Sequence, residues 1–132
     1  MQRRRTVTLI FHTIIPTANE YIAAERTHRQ RAAAIKRNVE LALVAECRKQ
    51  RARPVADYPV HLNYLWLRRD KRTDKSNVIF GQKFVEDALQ TAGVLRNDGW
   101  KEIDSIVHEF AIDQKNPRLE LTITQAQTQE KN

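Results

Sequence analysis

Hydrophobic and polar positions divide the chain into six segments of regular period. Residues 6–11 alternate, with Val7, Leu9 and Phe11 on one side, and predict a first strand. Pro16 ends the run. Thr17 and Glu20 then stand at capping-box spacing, opening a long polar-rich helical stretch interrupted near Thr27. In its second part Ala32, Ile35, Val39, Ala42, Leu43 and Cys47 recur at helical spacing, opposite Arg29, Arg37 and Arg48. Pro54 and Pro59 frame a second strand. Val60, Leu62, Tyr64 and Trp66 fall on one side of it, and His61, Asn63, Leu65 and Leu67 on the other. A second helix is predicted over about 77–91, with Phe80, Phe84, Ala88 and Leu89 as its apolar stripe and Gly93 as its stop. Residues 103–112 predict a third strand and 114–117 a turn. Leu119, Leu121 and Ile123 form the inward side of a fourth strand, with a polar, frayed tail over 125–132.

The order β-α-β-α-β-β predicts an α/β (α+β) fold: a mixed β-sheet with helices packed on it. Strands separated by a helix can lie parallel, and the last two can pair as a hairpin. A chain of 132 residues makes a single domain, 1–132. Folding at that length hides roughly two-thirds of the unfolded surface, so a core needs no staples.

Charge changes the picture. The net charge is +7. Residues 1–53 hold 12 Lys+Arg against 4 Asp+Glu, residues 54–75 hold 5 against 3, and residues 76–132 hold 6 against 9. A basic front half is the footprint of a polyanion partner. The single cysteine, Cys47, excludes an intrachain disulfide and fits a reducing compartment. No apolar run approaches the ~20 residues of a membrane span, and the basic start carries no secretory pattern. The expected setting is the cytoplasm, with no membrane partner.

The stretch 68–100 carries the candidate chemistry. Asp70 and Asp74 lie among Arg68, Arg69, Lys71, Arg72 and Lys75, just before the second helix, and Asp98 lies just after it. Carboxylates sharing a site with cations suggest metal-assisted chemistry on a phosphate ester. Read from the residues alone, Asp70 and Asp74 balance their basic neighbours and Asp98 is a turn residue. Ser76 and Lys83 are about two helical turns apart, with Asp87 one turn further on. Ser76 also makes a good N-cap. The four histidines lack metal-ligand spacing, one cysteine makes no zinc site, and the three glycines form no phosphate loop.

The same stretch resembles the RusA-type Holliday-junction resolvases (crossover junction endodeoxyribonucleases) of phages and prophages. The residues that carry the resemblance are Asp74-Lys75-Ser76-Asn77, Lys83 with Asp87-Ala88-Leu89, Ala92-Gly93 and Asn97-Asp98-Gly99-Trp100. Residues 16–21 (Pro-Thr-Ala-Asn-Glu-Tyr) and 117–124 (Pro-Arg-Leu-Glu-Leu-Thr-Ile-Thr) agree in order. The resemblance implies a mixed-sheet fold and a magnesium-dependent endonuclease (manganese also serving) that resolves branched DNA in recombination and repair as a homodimer. It implies catalytic roles for Asp74, Asp98 and Lys83, and metal ligation by Asp74 and Asp98 with Asp70 as an accessory ligand. Arg68, Arg69, Lys71, Arg72 and Lys75 would line the DNA path, with Asn19 and Tyr21 approaching the site. The source would be a bacterium or its phage.

The chain departs from the family at one position. Where the family reads Asp-x-Asp-Asn, this chain reads Asp74-Lys75-Ser76-Asn77, so the second carboxylate is replaced by Ser76, and Asn77 offers a carbonyl oxygen instead. A dimer that holds junction DNA without cutting it is therefore the competing expectation, and nucleic-acid binding by an unrelated mode is a third.

Overall fold

The computed structural model describes residues 5–126. Its elements are β1 (Thr6–Phe11), α1 (Ala18–Thr27), α2 (Arg29–Lys49), β2 (Val60–Arg68), α3 (Lys75–Ile79), α4 (Gln82–Thr91), β3 (Ile103–Ile112) and β4 (Arg118–Gln125). They form an α+β domain with one four-stranded mixed sheet, in the order β1-β4-β2-β3. No helix among the described residues is long and apolar enough to cross a membrane.

The alternation in each strand fixes which face is covered. Leu9 and Phe11, Val60, Leu62, Tyr64 and Trp66, and Leu119, Leu121 and Ile123 are all buried and share one core with Val39, Leu43, Val44 and Cys47 of α2. Phe84, Val85, Ala88 and Leu89 of α4 complete it. Burying each valine, leucine, isoleucine or phenylalanine among them contributes about 1.5–3 kcal/mol. The capping box at Thr17 forms as expected, with Glu20 accepting from the Thr17 N–H at 3.0 Å. The first helical stretch breaks at His28, one residue past Thr27.

Four expectations are corrected. The last two strands do not pair as a hairpin: β4 lies between β1 and β2, antiparallel to both, and β3 lies at the edge, parallel to β2. The link 113–117 crosses the end of β2, where the Asp113 N–H donates to the Arg68 carbonyl at 2.8 Å. Two strand spacings are about 10 Å, well within reach of such a link. Burial decides the order. The inward side chains of β4 are 2% exposed or less, whereas β3 has no buried residue and suits an edge.

The predicted second helix is two helices, α3 and α4, broken at Phe80-Gly81. Gly81 is pressed against Ile15 and Trp66. A Cβ there would lie 2.7 Å from Ile15 Cγ2 and 3.1 Å from Trp66 Cη2. Asp74, not Ser76, occupies the N-cap position, without a side-chain cap bond, and Ser76 is an exposed residue inside α3. Finally, Gln125 is not part of a frayed tail. It ends β4, and its side-chain oxygen accepts from the N–H groups of Ala56 and Asp57, both at 3.1 Å. The rest of the predicted tail, 127–132, and the basic start, 1–4, lie outside the described residues.

Candidate functional site

α4 presents Lys83, Asp87 and Gln90 at positions i, i+4 and i+7, which a helix stacks along one face. Gly93 follows with φ +77°, a left-handed conformation that glycine adopts at no steric cost. It turns the chain back. The Val94 and Leu95 N–H groups both donate to the Leu89 carbonyl, at 2.8 and 3.2 Å, and both side chains are buried. The returning loop is pinned beyond that point. Arg96 donates to Glu102 at 3.1 Å and stacks over the Tyr58 ring at 4.2 Å, and its N–H donates to the Tyr58 hydroxyl at 3.0 Å.

The loop thereby delivers Asp98 to Lys83. Lys83 Nζ donates to Asp98 Oδ2 at 2.8 Å and lies 3.1 Å from Asp87 Oδ1. One ammonium bridges two carboxylates. The Lys83 hydrogen bond holds the Asp98 carboxyl below its usual range, and the bonds to Asp98 and Asp87 push the Lys83 ammonium further up. Both partners are fully charged at neutral pH, and Lys83 remains 66% exposed, open to an incoming phosphate.

Behind this pair lies a polar chain that the sequence reading missed. The Trp66 indole N–H donates to His108 Nδ1 at 2.9 Å, and His108 Nε2 meets Gln82 Oε1 at 2.8 Å. Gln82 Nε2 donates to Glu86 Oε2 at 2.7 Å, and the Tyr64 hydroxyl donates to the same oxygen at 3.4 Å. These bonds assign His108 the neutral tautomer with its proton on Nε2, and burial pushes its pKa down in the same sense. Glu86 is 5% exposed, and burial pushes its carboxyl up. The signal was present in the sequence: Glu86 is a carboxylate inside the apolar run Phe84, Val85, Ala88, Leu89.

The acidic loop residues lie elsewhere. Asp74 lines a hollow with Asn19, Arg68, Arg72, Thr73 and Asn77, at the C-terminal end of β2. Asp70 accepts from the Arg72 N–H at 3.0 Å and lines a neighbouring hollow of about 440 Å³ with Arg68, Arg69 and Arg72. Arg69, Lys71, Arg72, Lys75 and Asn19 are exposed, and Lys75 stands over the Phe110 ring at 5.5 Å. Tyr21 packs against Phe80 and Phe84, with ring centroids 5.6 Å apart in each case, and so docks α1 onto α3 and α4.

The structure thus brings Lys83 and Asp98 together, and Asn19, Arg68, Arg72, Asp74 and Asn77 together, but it does not gather Asp70, Asp74 and Asp98. Among the described residues no three His, Cys, Asp or Glu side chains are grouped to hold a metal ion. Asp87 and Asp98 fit the chemistry of magnesium best, since both are oxygen donors already sharing one cation, and magnesium is commonly held by one or two carboxylates and water. Set beside known proteins, the chain matches no family model and no curated protein significantly.

Proposed function

We propose that this chain is a structure-specific endonuclease that cuts branched DNA, acting as a homodimer in the cytoplasm of a bacterial or phage-infected cell. The observation that carries the reading is the 2.8 Å contact between Lys83 and Asp98. Two residues of separate motifs, each assigned a role by the resolvase resemblance, meet on an exposed face. Asp98 and Asp87 supply oxygen ligands for magnesium or manganese, and Lys83 supplies a point charge for the phosphate or the leaving oxygen. The bound metal would polarise the phosphate and make hydroxide available near neutral pH. Arg68, Arg69, Lys71, Arg72 and Lys75 hold the DNA backbone, which calls for charge and reach but no strict spacing. Asp74 and Asn77 line the hollow that also holds Arg68, Arg72 and the carboxylate of Glu20.

A second reading has its own support. Ser76 puts a hydroxyl where the family carries a carboxylate, and among the described residues Asp70, Asp74 and Asp98 form no group that could hold a metal, which favours a protein that binds junctions without cutting them. Incubating the chain with a synthetic four-way junction and magnesium separates the two. Nicking supports the nuclease, and binding without nicking supports the second reading.

A further inference from the structure

The loop after β1 and the loop after β2 bound a hollow of about 440 Å³ with two unlike sides. Ile14, Ile15, Leu67 and Pro117 line it with apolar surface. Ile14 is 90% exposed, more than any other aliphatic side chain among the described residues. Arg68, Arg69 and Arg72 line it with positive charge. Arg118 also reaches it, but two carboxylates already hold that guanidinium, Asp113 at 2.9 Å and Glu120 at 2.8 Å. The one acidic side chain of the hollow, Asp70, stands 3.8 Å from Arg72, and Arg68 and Arg69 make no ion pair among the described residues.

We propose that this hollow binds an unpaired nucleobase of a DNA strand, with the adjoining phosphate on Arg68 and Arg72. Apolar walls with a few polar groups are the usual form of a small-ligand site of this size. Unpaired arginines beside those walls select a ligand with an apolar body and a negative charge next to it. Asp70 and the Thr73 hydroxyl add acceptors. Every nucleobase carries an N–H donor on its pairing edge, whereas an aliphatic anion would leave those acceptors unused. A base inside a duplex has that edge taken up, so the occupant is unpaired. The second hollow shares Arg68, Arg72 and Thr73 with the first, so a strand leaving the apolar hollow passes both guanidiniums. Asp74 and Glu20 offset the charge of the second hollow. The phosphate therefore belongs at the shared arginines and the next sugar beyond them, beside Asn19 and Asn77. This continuity favours a nucleotide within a strand over a free one. The site rests on the DNA binding read above and not on the cutting.

Fluorescence anisotropy of the full chain with labelled single strands, magnesium withheld, tests the site. A short thymidine strand should bind about tenfold or more tightly than an abasic strand of equal length, since holding one base face is worth at least that factor. Phosphate contacts alone would bind the two strands equally. Ile14 is exposed, so Ile14→Ser should leave the melting temperature nearly unchanged and bring the two affinities together. Trp100→Ala removes an indole that is 99% exposed and lies outside the hollow, and it should leave the preference intact. Equal affinity of the unsubstituted chain for both strands overturns the proposal. So does a preference that survives Ile14→Ser, or one that is lost with Trp100→Ala. Thymidine monophosphate competing as strongly as the strand would overturn the placement within a strand. Junction nicking by a chain without base preference would remove the site and leave the nuclease standing, while base-dependent binding that never leads to nicking would do the reverse.

Discussion

Lys83 and Asp98 are 15 residues apart in the chain and 2.8 Å apart in space, and the reversal after Gly93 closes that gap. Their contact is surface-exposed, so its value to stability is about 0–1 kcal/mol. An arrangement worth so little to the fold is one whose removal reports on function.

Lys83→Ala should accordingly leave the melting temperature nearly unchanged. If the ammonium acts on the transition state, the substitution slows junction cutting far more than it weakens binding. Single-turnover cutting and a binding titration on the same junction measure the two effects. Equal losses would make Lys83 an ordinary phosphate contact.

Glu86 makes a prediction about pH. Burial raises its folded-state pKa, so its contribution to stability is fully present below the ordinary glutamate range of about 4.3 and is lost as pH rises through the folded value. At neutral pH the buried charge opposes folding. Glu86→Gln keeps an acceptor for Gln82 and Tyr64 without the charge. It should raise the melting temperature at pH 7 and reduce the gain on acidification to pH 5. A lower melting temperature at pH 7 would show that the charged bonds to Gln82 and Tyr64 outweigh desolvation.

Gly81 marks the break that the sequence did not reveal. Its backbone angles are helical, so alanine adds no dihedral strain there. The added Cβ instead meets Ile15 at 2.7 Å. Gly81→Ala should destabilise by about 1–3 kcal/mol through overpacking, despite alanine's better helix propensity. Denaturant unfolding of the single variant measures it, and pairing it with Ile15→Ala should recover part of the loss.

DNA affinity should fall steeply with salt, because Arg68, Arg69, Lys71, Arg72 and Lys75 act by displacing counterions. Replacing Arg72, which is exposed and lies at the hollow that also holds Asp74, should lower the slope of log affinity against log salt by about one. A flat plot for the unsubstituted chain would remove the electrostatic argument.

Strand identities and inward faces were legible because alternation over residues 60–66 or 119–123 admits one buried side. The split of the first helical stretch at Thr27 and the capping box at Thr17 were legible for the same local reason. Strand order was not. A short link suggested a hairpin, and only the contrast between the buried inward side chains of β4 and an exposed β3 decides otherwise. The break at Gly81 depends on Ile15 and Trp66, both remote in sequence. At the candidate site, the resemblance paired Asp98 with Asp74, whereas the fold pairs it with Lys83 and Asp87. Ser76 proved to be an exposed residue inside a helix instead of its cap. Both outcomes turn on where two loops travel, and periodicity carries no information about that.

The most direct test of the account is junction nicking measured against magnesium concentration. A synthetic four-way junction and a matched duplex would be incubated with the unsubstituted chain, Asp98→Asn and Asp87→Asn side by side. The account predicts magnesium-dependent nicking of the junction in preference to the duplex. It predicts no nicking by Asp98→Asn, with binding retained, and nicking that needs more magnesium by Asp87→Asn, which removes the other oxygen ligand beside Lys83. Nicking by Asp98→Asn at the unsubstituted rate would contradict it, as would a junction left intact by the unsubstituted chain at every magnesium concentration.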